Sequence, residues 1–241
     1  MLVIGINAVN TSCDTVLNKI GTYSVQIMDQ IAQNARIQAI AFENMCDELM
    51  LYKPLQEGFT KYKNLDDYGK GELILNIKKF FDERFKLANY ITDIEIVTKD
   101  NEVLYSQGFY YFTDDITKYV KVVKEKQGII VWSYSDLKNR NNLVVGRAIN
   151  SAMTKELIGY AFIAINERCF SDIYRNIDIG EGADIFIMDG SGTVVSSRNP
   201  VIKFGMKYKE DSLFKNIFEN MKSGSQVFTS LIGGERYMVA F

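Results

Sequence analysis

From Ser12 to about Leu51 the chain carries apolar residues at Val16, Ile20, Tyr23, Ile27, Ile31, Ala35, Ala39, Phe42, Met45 and Leu49. Steps of three and four keep these positions on one helical face. No proline and only Gly21 interrupt the run. The pattern predicts one helix of about forty residues, which at 1.5 Å per residue would reach ~60 Å, roughly twice the width of a small domain. Two ordinary helices broken near Asn34 are the alternative. A looser stretch containing Pro54, Gly58, Gly69 and Gly71 follows, then a second helix carrying Leu73, Ile74, Ile77, Phe80, Phe81, Phe85 and Ala88.

Beyond residue 90 the period changes. "ITDIEIVT" and "EVLYSQ" are β-rich runs joined by the polar triplet "KDN", the pattern of a hairpin. A short helix with Ile116, Tyr119, Val120 and Val123 on one side ends before Gly128. Three strands are predicted next, in "GIIVWSY", "LVVGRAIN" and "LIGYAFIAI", with linkers short enough for antiparallel neighbours. A helix from about Glu167 to Ile177 follows. Then come a second hairpin in "ADIFIMDGSGTVVSS", a helix with Leu213, Phe214, Ile217, Phe218 and Met221, and the strands "QVFTSLI" and "RYMVAF" turning at Gly233 and Gly234.

Setting Asp93–Ser106 over Asp184–Ser197 needs no gap and matches Asp93 with Asp184, Ile94 with Ile185, Ile96 with Ile187, Val103 with Val194 and Ser106 with Ser197. A helix and strands follow each hairpin. The chain therefore reads as two copies of one α+β module, the second stopping in mid-pattern at Phe241, with at least one more strand expected beyond it. The loop of the second hairpin is a poor cation or phosphate site. Asp189, Ser191 and Thr193 have oxygen-ligand spacing, but Val194 stands where a calcium loop needs glycine, no glutamate closes the loop, and a phosphate loop's lysine is missing.

Composition narrows the chemistry. The 241 residues are 47% hydrophobic, enough for a sizeable core, and the formal charge of -2 leaves no basic excess for nucleic acid. Histidine is absent, which removes the usual general base and the commonest metal ligand together. No metal or cofactor is expected. Cys13, Cys46 and Cys169 lie far apart without CxxC spacing and read as buried or half-buried thiols rather than a disulfide or a nucleophile. The opening "MLVIGINAV" is shorter than the about 20 apolar residues that cross a bilayer and lacks a signal-peptide layout; it is either a buried first strand or the tail of a longer apolar segment.

"GIIVWSYSD", "LVVGRAINSAMTKELIGYAFIAINERCFSDIY" and "ADIFIMDGSGTVVSS" together resemble the double Cache (dCache) sensor domain, the extracytoplasmic part of many bacterial membrane histidine kinases and some chemoreceptors. The resemblance covers nearly the whole chain. "GRAI", "ELIGYAFIAINE" and "FSDIY" look like the Gram-positive kinases that pair with AraC-type response regulators. The implied fold is α+β: a long N-terminal spine helix plus two PAS-like modules with antiparallel sheets flanked by helices. The implied division is 1–90 for the spine and second helix, 91–166 for a membrane-distal module, 167–182 for a connecting helix and 183–241 for a membrane-proximal module. Membership also implies anchoring by transmembrane helices on either side, a small-molecule ligand in the distal module or a binding-protein partner, and no enzymatic role for this segment. Dimerisation through the long helix is a further possibility.

Candidate site residues follow from the distal module. Strand alternation puts Ile130, Trp132 and Tyr134 on one face. Trp132, the only tryptophan, offers a flat apolar surface with one N–H donor, suited to a small polar ligand or to a core. Tyr134 and Asp136 would supply a hydroxyl and a carboxylate at the pocket mouth, although Asp136 also fits a turn. Arg147 lies in a strand-like run and needs either a ligand carboxylate or an internal acid. Tyr105, Tyr110 and Tyr111 would line the other side. Many amino-acid-binding dCache domains carry an arginine two residues before a Trp-Tyr pair; here Ile130 and Ser133 take those places, so an amino-acid ligand is not implied. The competing acid–base pair, Asp114 and Asp115, sits where a helix N-cap is expected.

Overall fold

The structure is a computed structural model that describes residues 2–84, 88–108, 116–126, 129–135, 141–180, 182–207, 215, 217, 227–232 and 235–241. A single helix, α1 (Leu2–Leu51), opens the chain and runs through Asn34 without a break. It takes in the apolar N-terminal run from Leu2 onward, so the buried-strand alternative for that run does not hold. The stretch expected to be loose is helical as well, forming α2 (Lys53–Lys61) and, after a 3-10 turn at Tyr62–Asn64, α3 (Asp67–Arg84). Pro54 lies in the first turn of α2, where its missing N–H costs nothing. Gly58 brings α2 and α3 together, since a Cβ there would lie 2.6 Å from the Leu73 methyls.

The chain divides into two compact units, Gln38–Ser171 and Met1–Ile37 with Asp172–Phe241. In the first, β1 (Ile91–Thr98), β2 (Val103–Gly108), β3 (Val131–Ser135), β4 (Asn142–Asn150) and β5 (Leu157–Asn166) form one antiparallel sheet in the order β2-β1-β5-β4-β3. Between β2 and β3 lies α4 (Ile116–Glu125), with Ile116, Tyr119, Val120 and Val123 all buried, as the periodicity predicts. These side chains pack on Val97, Val144, Ala148, Tyr160, Phe162 and Ala164, one face of the sheet. The opposite face meets the preceding helices: Phe81 of α3 stacks on Tyr105, and Gly159 sits against Phe59 of α2. With both faces covered, β5 is buried from Gly159 through Ile165.

The second unit holds the last residues of α5 (Arg168–Tyr174) and two ribbons, β6 (Phe186–Met188) with β7 (Val194–Ser197), and β8 (Val227–Ile232) with β9 (Glu235–Ala240). Its core joins Ile31 of α1 to Tyr174 and Ile185, flanked by Ile27, Met28, Ile173 and Ile187. Arg198 donates to the carbonyls of Tyr174 and Ile177, at 2.6 and 2.9 Å, and so satisfies acceptors freed where α5 ends. The expected helix around Leu213, Phe214, Phe218 and Met221, the Gly233–Gly234 turn, Phe85 and Gly128 lie outside the described residues.

The repeat between the two hairpins extends to their register. Ile96 opposes Tyr105 and Val97 opposes Val103 across a bulge; the aligned residues, Ile187 with Ser196 and Met188 with Val194, pair in the same way around a bulge at the same place. Their turns also agree. The Thr98 side-chain oxygen accepts the Glu102 N–H at 3.1 Å, and the aligned Asp189 accepts that of Thr193 at 3.0 Å. Asn101 (φ 66°) and Gly192 (φ 80°) occupy the same left-handed position, which asparagine tolerates better than most residues. The side-chain oxygens of the glycine-rich loop are thus used to build the turn.

Gly159 is the position where this packing leaves least room. A Cβ there would collide with the Phe59 ring and with the Val97 carbonyl oxygen. Gly159→Ala is expected to cost about 1–3 kcal/mol through overpacking, read as a lower denaturation midpoint in urea; an unchanged midpoint would show that α2 does not lie on β5 as described.

Candidate functional site

Register decides where the sequence-derived candidates point. Trp132 pairs with Val145, Tyr134 with Leu143, Arg147 with Ala161 and Tyr105 with Ile96, all on the face turned away from α4. Trp132 and Tyr134 thus share a face, as the alternation predicts, and Arg147 and Tyr105 lie on it too. This is the face on which the helices pack. The Trp132 indole N–H donates to Glu43 Oε1 of α1 at 2.9 Å, and Arg147 forms an ion pair with Asp47, one helical turn further along α1. Of the two partners open to Arg147, the structure supplies the internal acid.

Tyr105 stacks on Phe81 with ring centroids 6.1 Å apart, and its hydroxyl meets Gln107 Oε1. Burial, with the nearby negative charge of Asp82 adding to it, pushes the Tyr105 hydroxyl up to about 12. Cys46, between Glu43 and Asp47 in sequence, is buried in the same layer, and its thiol is likewise pushed up to about 12. Burial is the main cause there, opposed by the Arg147 charge and reinforced by Glu43. A thiol held protonated in this way is a packing element and a poor nucleophile. Asp136, Tyr110 and Tyr111 lie outside the described residues, as do Asp114 and Asp115.

The α4 face differs in composition. Toward Tyr160 it is apolar, but its other end carries Asp93 and Glu95 of β1, Ser133 and Ser135 of β3, and Asn142 of β4, placed by their pairings with or next to Ala164, Phe162 and Val144. Asp93, Glu95 and Asn142 are buried to 2%, 1% and 0% relative exposure. The sequence pattern marks Asp93 only as a repeat identity and assigns no role to Glu95 or Asn142. Two acids at alternating positions inside the strand "ITDIEIVT" were the available signal, because a strand presents them together on one face. Among the described residues no group of three or more metal-binding side chains is present.

No family model matches the chain, and none of the curated proteins is detectably similar to it in sequence. Solved structures do resemble it. The extracellular domain of vpHK1S-Z8, a protein named as a histidine kinase, matches 95% of this chain and 88% of its own with a TM-score of 0.63 at 13% identity. The sensor domain of the Vibrio cholerae histidine kinase DctB matches 94% and 92% with a TM-score of 0.54 at 8% identity. The ligand-binding domain of the Campylobacter jejuni chemoreceptor Tlp3, solved with L-norvaline, matches 93% and 85% with a TM-score of 0.59 at 10% identity. The chain therefore has the fold of the extracellular sensor domains of bacterial receptors, an α+β arrangement consistent with the double Cache architecture. No helix among the described residues is long and apolar enough to cross a membrane.

Two outcomes follow from the helix-facing layer. In a double-mutant cycle with Arg147→Ala and Asp47→Ala, the half-exposed Asp47 limits the coupling to about 1 kcal/mol, measured by urea unfolding; additive variants would show that the pair does not hold the sheet to α1. Cys46 and Cys169 are buried as expected, whereas Cys13, on a solvent-facing part of α1, is exposed; in native protein at pH 8 a thiol reagent is expected to label Cys13 rapidly, and Cys46 and Cys169 only after denaturant is added. Fast reaction of Cys46 would contradict its burial.

Proposed function

We propose that this chain is the extracytoplasmic ligand-sensing domain of a transmembrane receptor, with a histidine kinase as its output. A small molecule bound by the first module, within residues 91–166, would change how the sheet holds α1, and the second module, 183–241, would stand nearer the membrane. The carrying observation is that the sheet has two differently built faces. One is fastened to α1 by the Trp132–Glu43 hydrogen bond and the Arg147–Asp47 ion pair. The other buries polar and acidic side chains at one end, beside α4.

On this reading Trp132 and Arg147 connect sheet to helix, with Tyr134 and Tyr105 in the same layer, and the ligand lies on the α4 face. The extracellular setting of the vpHK1S-Z8 domain, the sensor role of the DctB domain and the L-norvaline found in the Tlp3 domain support a sensing role for the same fold here. Enzymatic chemistry has no comparable support: the chain lacks histidine, and burial pushes both Cys46 and Tyr105 toward the protonated state. The long helix, with Val16, Ile20, Tyr23 and Ile37 exposed, also offers a face through which two copies would pair.

A metabolite screen by thermal shift, with tryptophan emission recorded in parallel, tests the reading. Trp132 is the only tryptophan, so any emission change reports the surroundings of its indole, where Glu43 is the hydrogen-bond partner. A true ligand is expected to raise the unfolding midpoint and to change Trp132 emission. A hit that stabilises the protein while leaving emission untouched would separate binding from the proposed route. No stabilisation by any compound would favour a ligand-free spacer or a protein-docking module.

A further inference from the structure

The loop that follows β7 shows apolar surface and positive charge together. Val201 is 81% exposed and Met206 42%, while Ile202 and Phe204 are half-buried. A side chain as open to water as Val201 gains the fold almost nothing by burial. Lys203 and Lys207 are exposed too, and no ion pair joins either of them to another described residue. From Gly190 to Lys207 the sequence carries Arg198, Lys203 and Lys207 and no acid, although the whole chain has a formal charge of -2.

Hydrogen bonds hold the loop in one shape. Asn199 takes its place through three of them: its N–H donates to Ser197 Oγ at 3.0 Å, its amide nitrogen to Asp184 Oδ2 at 2.6 Å, and its amide oxygen accepts the Val201 N–H at 2.9 Å. Two turns follow, closed by Ile202 N–H to the Asn199 carbonyl at 3.1 Å and Met206 N–H to the Lys203 carbonyl at 3.3 Å. Gly205, at φ 73°, supplies the left-handed residue of the second turn. Its N–H donates to the Val194 carbonyl at 2.8 Å, and the Val194 N–H donates to the Met206 carbonyl at 2.9 Å, which fastens the far end to β7. Val201 is therefore held out between two tethered ends, and docking there would order little further chain.

Exposed apolar side chains set among lysines suit the boundary between anionic headgroups and acyl chains. A second copy meeting the same loop would bring like charges together. A soluble polyanion would answer the lysines and leave Val201 and Met206 in water. The apolar opening of α1, Leu2–Val9, belongs to the same compact unit as the loop, so a single unit carries both apolar segments.

We infer that the loop Arg198–Lys207 rests on an anionic lipid surface. Val201 and Met206 enter the boundary below the headgroups, and Lys203 and Lys207 meet the lipid phosphates. The inference builds on the reading in which the second module stands nearer the membrane. Vesicle binding needs no sensed ligand, so its failure is distinct from a failure of that reading.

The test is co-sedimentation of the 241-residue chain with vesicles of phosphatidylcholine alone, or of an equal mixture with phosphatidylglycerol. Stronger binding is expected to the mixed vesicles, falling as salt is added. Lys203→Gln and Lys207→Gln are each expected to weaken it about fivefold, and Val201→Ser by about as much through lost apolar contact. The apolar start of α1 is common to every variant and cancels from these ratios. Urea midpoints are expected to stay at the wild-type value, because all three side chains are exposed. In a Cys13→Ser background, an environment-sensitive fluorophore attached to Val201→Cys is expected to shift to the blue on mixed vesicles, while buried Cys46 and Cys169 stay unlabelled. No preference for the mixed vesicles, or a label that remains in water on bound protein, overturns the inference and leaves the sensing reading to the metabolite screen. Variants that all bind like wild type overturn it as well. Loss in the lysine variants with Val201→Ser unchanged marks a soluble polyanion as the partner and overturns it too.

Discussion

The first module depends on burying a single antiparallel sheet on both faces. β5 lies at the centre of that sheet, flanked by β1 and β4, and seven consecutive residues, Gly159 to Ile165, are removed from solvent. A strand buried on both sides cannot alternate between apolar and polar residues, and "GYAFIAI" does not. At roughly 25 cal/mol per Å², burial of this kind supplies the main favourable term in folding. It also demands that every polar group entering the layer find a use. Arg147 and Trp132 find theirs on α1, through Asp47 and Glu43. Helix, sheet and α4 thereby become one closely packed body in which a change on one face is felt on the other.

Much of this was legible in the sequence, for identifiable reasons. α4 was readable because four buried side chains recur at helical spacing above a polar face. The two hairpins were readable because alternation and turn chemistry agree in both copies, down to a side-chain oxygen that closes each turn and a left-handed residue at its third position. The misreadings have equally local causes. Pro54 and Gly58 suggested a break, yet proline suits a helix's first turn, and Gly58 is there so that Leu73 can approach. The "MLVIGINAV" run is short and apolar, which period alone cannot assign between strand and helix; it is continuous with α1 from Leu2.

The candidate site was less legible, because period-two alternation tells which residues share a face but not which face is which. In a strand with solvent on one side the apolar set marks the interior. Here both sides are interior, so Trp132 and Tyr134 could be grouped correctly without revealing that the group looks toward α1. A sequence signal for the partners did exist. Glu43 and Asp47 stand four residues apart among Phe42, Met45, Cys46 and Leu49, all buried. Acids beside a buried helical stripe need cations or donors, and Arg147 and Trp132 are a strand-borne cation and a strand-borne donor.

The two-sided sheet also sets what signalling by this fold would require. A ligand shifts an equilibrium only by the difference in its affinity for two states. A molecule resting against α4 would therefore transmit nothing unless β3 and β4 took a different position when it was bound. Those are the strands that carry Trp132 and Arg147 on their far side. Their contacts with α1 are individually modest, a single hydrogen bond and a half-exposed ion pair, each on the order of 1 kcal/mol. Weak ties of this size suit a switch better than strong ones would: the differential binding energy of a small ligand is enough to break or remake them, whereas the apolar burial around β5 is far too large to be exchanged.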